Sequence, residues 1–190
     1  GQTIVISVFA ADIQAEFSLS HGAWGGIYAL GTTTSAVVMV WAGGLTDKFR
    51  VGALGPVVLL MLAMSCLLMA FNPFVWLLPV VIFALRLCGQ GMTSHIAVVA
   101  MARWFDAERG RALSIAALGF SVGEAVLPIV FVVLLGFLDW RVLWVIAAVV
   151  ILAGVPVLIR LLRHERTPQS MTSVNPSLGI AFMYWTRSDV

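Results

Sequence analysis

Two opposite charges stand deep inside apolar stretches of this 190-residue chain: Arg86 within Val75–Met101 and Glu124 within Ala112–Leu138. A charge at the centre of a bilayer costs at least about 2.5–3.5 kcal/mol on insertion scales, and it persists where it meets water or a partner. Arg86 lies seventeen residues before Arg103, and Glu124 lies fifteen residues after Arg109. At 1.5 Å per helical residue these are about 25 and 22 Å from the same membrane surface. On adjacent antiparallel helices the two charges therefore meet at nearly one level. An arginine there binds an anionic group, and a carboxylate there carries a proton. The alternative is an inert ion pair that only orients two helices. Gln90, Thr93 and Ala97 follow Arg86 at helical spacing and share its face, while Ser114, Ser121 and Pro128 share a face with Glu124. Two polar faces converging at mid-membrane form a solute pathway. Its candidate residues are Arg86, Glu124, Gln90, Thr93, Thr32 and Gln2.

The elements that must hold these residues follow from composition. The chain is 61% hydrophobic and 11% charged, with a mean hydropathy of +1.04. A soluble core cannot hide that much apolar surface, so the bilayer is the solvent. A spanning helix needs roughly 20 apolar residues. Gly22–Ala42, Gly52–Phe71, Val75–Met101, Ala112–Leu138 and Val142–Ile159 each reach about that length. Gly1–Ala11 is shorter and reads as the outer half of a first span that begins before the chain does. A secretory leader is the rival reading, but the basic start and small-residue cleavage site it needs are not evident. The expected fold is an all-α membrane protein, a six-helix transmembrane bundle over residues 1–164 with a truncated first helix. A linker, 165–190, follows, starting with the Pro/Ser/Thr-rich stretch Thr167–Ser177. Cys66 and Cys88 lie in different spans and indicate neither a disulfide framework nor a metal site.

Charge sets the orientation. Nine of the eleven Lys and Arg residues fall on one side: Lys48 and Arg50 after the second span, Arg103, Arg109 and Arg111 after the fourth, and Arg160, Arg163, Arg166 and Arg187 beyond the sixth. The opposite loops hold Asp12, Glu16 and His21, then Asn72-Pro73, then Asp139 and Arg141. The positive-inside rule makes the basic loops cytoplasmic, in a multi-pass inner (plasma) membrane. Polarity is also uneven among the spans. The second carries Tyr28 and Thr32 to Ser35, the fourth Arg86 to His95, and the fifth Ser114, Ser121 and Glu124. The third and sixth are nearly free of polar side chains, as helices facing lipid or packed by apolar contact would be. Polar, polar, apolar recurs in each triplet, as two three-helix repeats would.

The stretch Gly43-Gly44-Leu45-Thr46-Asp47-Lys48-Phe49-Arg50 resembles the Gly-x-Leu-Ala-Asp-Arg-x-Gly-Arg-Lys signature of the major facilitator superfamily. It lies between the second and third spans, where that family places it. Gly43, Leu45, Asp47 and Lys48 match, while Arg50 replaces the second family glycine, at a place where glycine permits positive φ. Arg86-Leu87-Cys88-Gly89-Gln90-Gly91 is similar to the arginine setting of the family's fourth helix. Gly119, Gly123 and Pro128 are similar to its Gly- and Pro-rich fifth. Arg103-Trp104-Phe105 with Arg109-Gly110, and Asp139-Trp140-Arg141, resemble loops of monocarboxylate-porter-like members. The resemblance implies the N-terminal half of a twelve-helix secondary transporter that works by alternating access. It implies a cytoplasmic gate built on Gly43, Asp47, Lys48 and Arg103. It also implies the C-terminal half of the same protein, a small-molecule substrate and the lipid bilayer as partners, with no cofactor.

The expected activity is secondary active transport of a small organic solute, with a carboxylate anion preferred, coupled to protons as symport or antiport. A multidrug or metabolite efflux carrier of the same fold is the alternative. A channel is disfavoured because it needs a symmetric ring or filter. An intramembrane serine hydrolase would use Gly119-Phe120-Ser121-Val122-Gly123 as Gly-x-Ser-x-Gly, a pattern that requires a strand–turn–helix context, and would need His95 beside Ser121. Nucleic acid is not an expected partner, because the basic residues line membrane boundaries and form no compact patch.

Overall fold

Long apolar runs punctuated by capping and turn residues fold into helices, and no strand occurs among the described residues. The computed structural model describes residues 6–104 and 109–162. Gln2 and the linker 165–190 lie outside them. In chain order the helices are α1 (Ala10–Glu16), α2 (His21–Ala42), α3 (Leu45–Lys48), α4 (Val51–Ala70), α5 (Leu78–Leu85), α6 (Thr93–Trp104), α7 (Arg109–Leu135) and α8 (Trp140–Leu161). A 3-10 turn, Val75–Leu77, leads into α5, and a π-helical segment, Arg86–Met92, joins α5 to α6. Among the described residues, five stretches are long and apolar enough to cross a membrane: His21–Lys48, Val51–Ala70, Val75–Arg103, Gly110–Leu135 and Trp140–Leu161.

Local chemistry explains the boundaries. Ser20 caps α2 by accepting from Ala23 N at 3.2 Å, and Asp139 caps α8 by accepting from Arg141 N at 2.8 Å. Asn72 Oδ1 accepts from Phe74 N at 2.9 Å, which turns the chain after α4. The α1 helix ends at Ser18, whose φ of 52° is left-handed, while Leu19 N returns to Gln14 O at 2.9 Å.

Several expected loops are helical. Asp12 and Glu16 belong to α1, and Glu16 at its end meets a charged partner in Arg141. Arg103 closes the last turn of α6, and Trp140 and Arg141 open α8. In the Gly43–Arg50 signature Leu45–Lys48 form α3 after a Gly43-Gly44 turn, and Arg50 has an ordinary φ of −64°. Replacing the family glycine there therefore costs no strain.

In a bilayer, lipid is as apolar as leucine, so helices associate through close packing and directed polar contacts. The most extensive contact is α4 on α8, the two spans nearly free of polar residues, and α2 lies along α5 and the π segment. Small residues allow both approaches. A Cβ on Gly31 would stand 2.8 Å from the Pro79 carbonyl oxygen, and one on Gly55 would stand 3.0 Å from a Leu158 methyl. Gly119 and Gly123, which resemble a close-packing motif, have nothing within 4 Å of where a Cβ would stand. Phe9 anchors α1 beneath Phe131 and Trp144, at centroid distances of 5.4 and 5.3 Å. The α7 helix packs mainly on α6 and leaves its most apolar stretch unburied within the chain.

Candidate functional site

The Arg86 guanidinium lies over the ring of Tyr28, 5.7 Å from its centroid, within the range of cation–π attraction. Tyr28 and Thr32 are one turn apart on α2 and share a face. Both hydroxyl oxygens are buried, and neither has a hydrogen-bond partner among the described residues. A buried hydroxyl without a partner costs on the order of 1–3 kcal/mol. Tyr28, which makes the Arg86 contact, is not among the pathway candidates read from the sequence. Its only signal is the four-residue spacing to Thr32.

The π segment begins at Arg86 and changes the face that follows. Single π turns inside α-helices recur at functional sites. Thr93 Oγ1 donates to the Cys88 carbonyl at 2.7 Å, five residues back, so its hydroxyl serves its own helix. Thr93 also borders an apolar crevice of about 340 Å³ walled by Gly55, Val58, Ile96, Leu158 and Leu162. It thus looks toward α4 and α8, whereas Arg86 looks toward α2. The regular spacing that joins Arg86 to Thr93 assumes 3.6 residues per turn, which the π register breaks. Gln90 is exposed, and Glu124 stands on the exposed surface of α7. Pro128, four residues on, lacks the N–H that would otherwise bond the Glu124 carbonyl.

A second cluster forms at the basic end. Asp47 and Arg103 are brought together at 3.7 Å, and Arg103 Nη2 donates to the Thr46 carbonyl at 3.0 Å. Thr46 is buried and its hydroxyl donates to the Gly43 carbonyl at 2.9 Å. His95 Nε2 lies 3.1 Å from both Thr46 Oγ1 and the Gly43 oxygen. The Asp47 side chain is 81% exposed against 14% for Arg103, and Lys48 is exposed.

The sequence profile of the Major Facilitator Superfamily matches residues 1–182. The chain belongs to the major facilitator superfamily. It is therefore a multi-pass membrane protein of a family of transporters, and its bundle is a partial major facilitator fold. No curated protein matches the chain, and no solved structure does. The family's members are transporters, and the geometry agrees with that against the hydrolase alternative: Ser121 Oγ donates to Ala117 O at 3.1 Å within α7, while His95 Nε2 is engaged by Gly43 and Thr46. The two residues a serine hydrolase would pair are each committed elsewhere.

Proposed function

We propose that this chain is the N-terminal half of a secondary active carrier for a small organic anion, working by alternating access. Arg86 anchors the anionic group at mid-membrane, and the Tyr28 and Thr32 hydroxyls donate to it. The observation that carries this reading is the intramembrane guanidinium over the Tyr28 ring, on a helix whose Tyr28 and Thr32 hydroxyls are buried without partners among the described residues. Glu124 is the proton-responsive group, at the point in α7 where Pro128 interrupts the hydrogen-bond ladder. Gln90 and Gln2 are further pathway residues, and Thr93 supports the site only through the π segment. The basic loops face the cytoplasm of an inner (plasma) membrane. Gly43, Asp47, Lys48 and Arg103 form a gate there, closing against the C-terminal half. Asp47 suits that work because its ion pair with Arg103 is long and its own carboxylate is exposed, so it exchanges partners at little cost.

The test is saturable, gradient-driven uptake by the full-length carrier in proteoliposomes. Arg86→Ala is expected to lower kcat/KM by about a hundredfold or more, as loss of a charged anchor in a low-dielectric site does. Tyr28→Phe and Thr32→Val should each cost about five- to tenfold, the worth of one hydrogen bond. Thr93→Ala should cost less than about threefold, because its hydroxyl is already used. Equal, mild effects at all four positions would overturn the site. Ohmic current in place of saturable flux would overturn the carrier reading.

A further inference from the structure

The His95 side chain meets two oxygens, and the chemistry of those oxygens fixes what it does. A carbonyl has no proton to give, so the contact with Gly43 O requires the hydrogen on Nε2. The single hydroxyl proton of Thr46 goes to that same carbonyl, which leaves Thr46 Oγ1 only lone pairs to offer the ring. The Nε2–H is therefore a donor shared between two acceptors. The neutral ring with its hydrogen on Nε2 and the doubly protonated ring both satisfy this arrangement. The tautomer with its hydrogen on Nδ1 can take the Thr46 hydroxyl proton but leaves Nε2 and the Gly43 oxygen facing each other as two acceptors. His95 thus acts here as an Nε2–H donor.

The consequence is mechanical. Thr46 is 2% exposed, and α6 grips it twice, through His95 at the hydroxyl and through Arg103 at the carbonyl. Glycine at 43 keeps the carbonyl open to the ring: a Cβ there would stand 3.3 Å from the Met39 oxygen and 3.8 Å from His95 Nε2. We propose that His95 is a positioning residue that docks the Gly43–Lys48 turn onto α6, so that Asp47 and Arg103 move as one rigid unit. Its effect on transport rests on the gate reading given above; its effect on the turn does not.

Hydrogen exchange over residues 43–49 and uptake kinetics, both measured on the full-length carrier, separate the two. His95→Ala should speed exchange of these amides by about tenfold or more, because their local opening is no longer opposed. Its turnover should fall by about threefold or more with KM changed less than about twofold, the pattern of a slowed conformational step. His95→Gln places an amide donor near the Nε2 position and should keep exchange and turnover within about twofold of the parent, the expectation for a role that needs only a donor. Thr46→Val, which removes the shared hydroxyl, should give intermediate exchange and decides the matter if His95→Ala fails to fold. The proposal is overturned if His95→Ala leaves exchange unchanged, or if His95→Gln behaves as His95→Ala does. Faster exchange with undiminished turnover upholds the docking role and overturns the gate.

Discussion

The two ends of the bundle are tied in different ways. At the end opposite the basic loops, Arg141 at the start of α8 holds three elements together. Its Nε donates to Glu16 Oε1 at 3.1 Å, its Nη1 to the Ala70 carbonyl at 2.6 Å, and its Nη2 to the Asn72 carbonyl at 2.9 Å and to Glu16. Trp140 Nε1 adds a bond to Glu16 Oε2 at 2.9 Å, and the guanidinium lies 4.7 Å from the Trp140 ring centroid. One planar fork thus unites α1, the end of α4 and α8. At the basic end the bonds run among an imidazole, a guanidinium, a hydroxyl and backbone carbonyls, and the Asp47–Arg103 pair is long, with Asp47 exposed. The first arrangement behaves as a weld, because each partner loses much of its compensation when another is removed. The second holds the turn through its backbone and its threonine and leaves Asp47 available. That contrast is what a gate on a rigid half requires.

The contrast is open to attack at several points. The largest expected effect is Arg141→Ala, which strips Glu16 Oε1 and two carbonyls of their donor. We expect a loss of about 2–3 kcal/mol in detergent unfolding, moderated by the partial exposure of Glu16. Arg141→Lys should recover less than half of that, since an ammonium cannot reproduce the fork. If Arg141→Ala is silent, the weld is not one. Next in size is Gly31→Ala, which tests whether the middle is as rigid as the welded end. Its new methyl meets a backbone oxygen that cannot yield, so a cost of about 1–3 kcal/mol is expected in the same measurement. Ser18→Gly should raise stability by about 0.5–1 kcal/mol, by relieving a left-handed backbone beside the clasp. An unchanged midpoint would show that the α1 end is held too loosely to feel that strain. Smallest in stability is Asp47→Asn, expected within about 0.5 kcal/mol because the pair is long and the Asp47 carboxylate is exposed. Its effect belongs to kinetics: slower turnover with equilibrium substrate affinity spared, read by uptake and by substrate protection. A stability loss as large as that of Arg141→Ala would erase the difference between the ends.

Much of the fold is legible in the sequence because its signals are local. Runs of apolar residues measured against the bilayer place all five long spans within a few residues of where they occur. The sparing of polarity in Gly52–Phe71 and Val142–Ile159 anticipates that α4 and α8 pack by apolar contact. The gate that the family resemblance implies groups Asp47 with Arg103, and the two meet. The pathway is harder to read. Counting regular turns puts Thr93 beside Arg86, and the π segment between them changes the count. Gly119 and Gly123 look like close-packing glycines, whereas Gly31, Gly55 and Gly91 hold the close approaches: a Cβ on Gly91 would lie 2.9 Å from the Met39 sulfur. Nothing in a glycine's own neighbours along the chain tells which helix will arrive opposite it.

By itself the sequence determined the solvent, the number and order of the long spans, the sign of charge at each end and the family. These follow from hydropathy, length and short motifs, which are properties of contiguous residues. Only the tertiary structure decided that Arg141 meets Glu16, that His95 reaches back to Gly43 and Thr46, and that Arg86 lies over Tyr28. Each of those pairings joins residues dozens of positions apart and depends on hydrogen-bond or ring geometry at a few ångströms. One extra residue in a helical turn is enough to rotate such a partner out of reach.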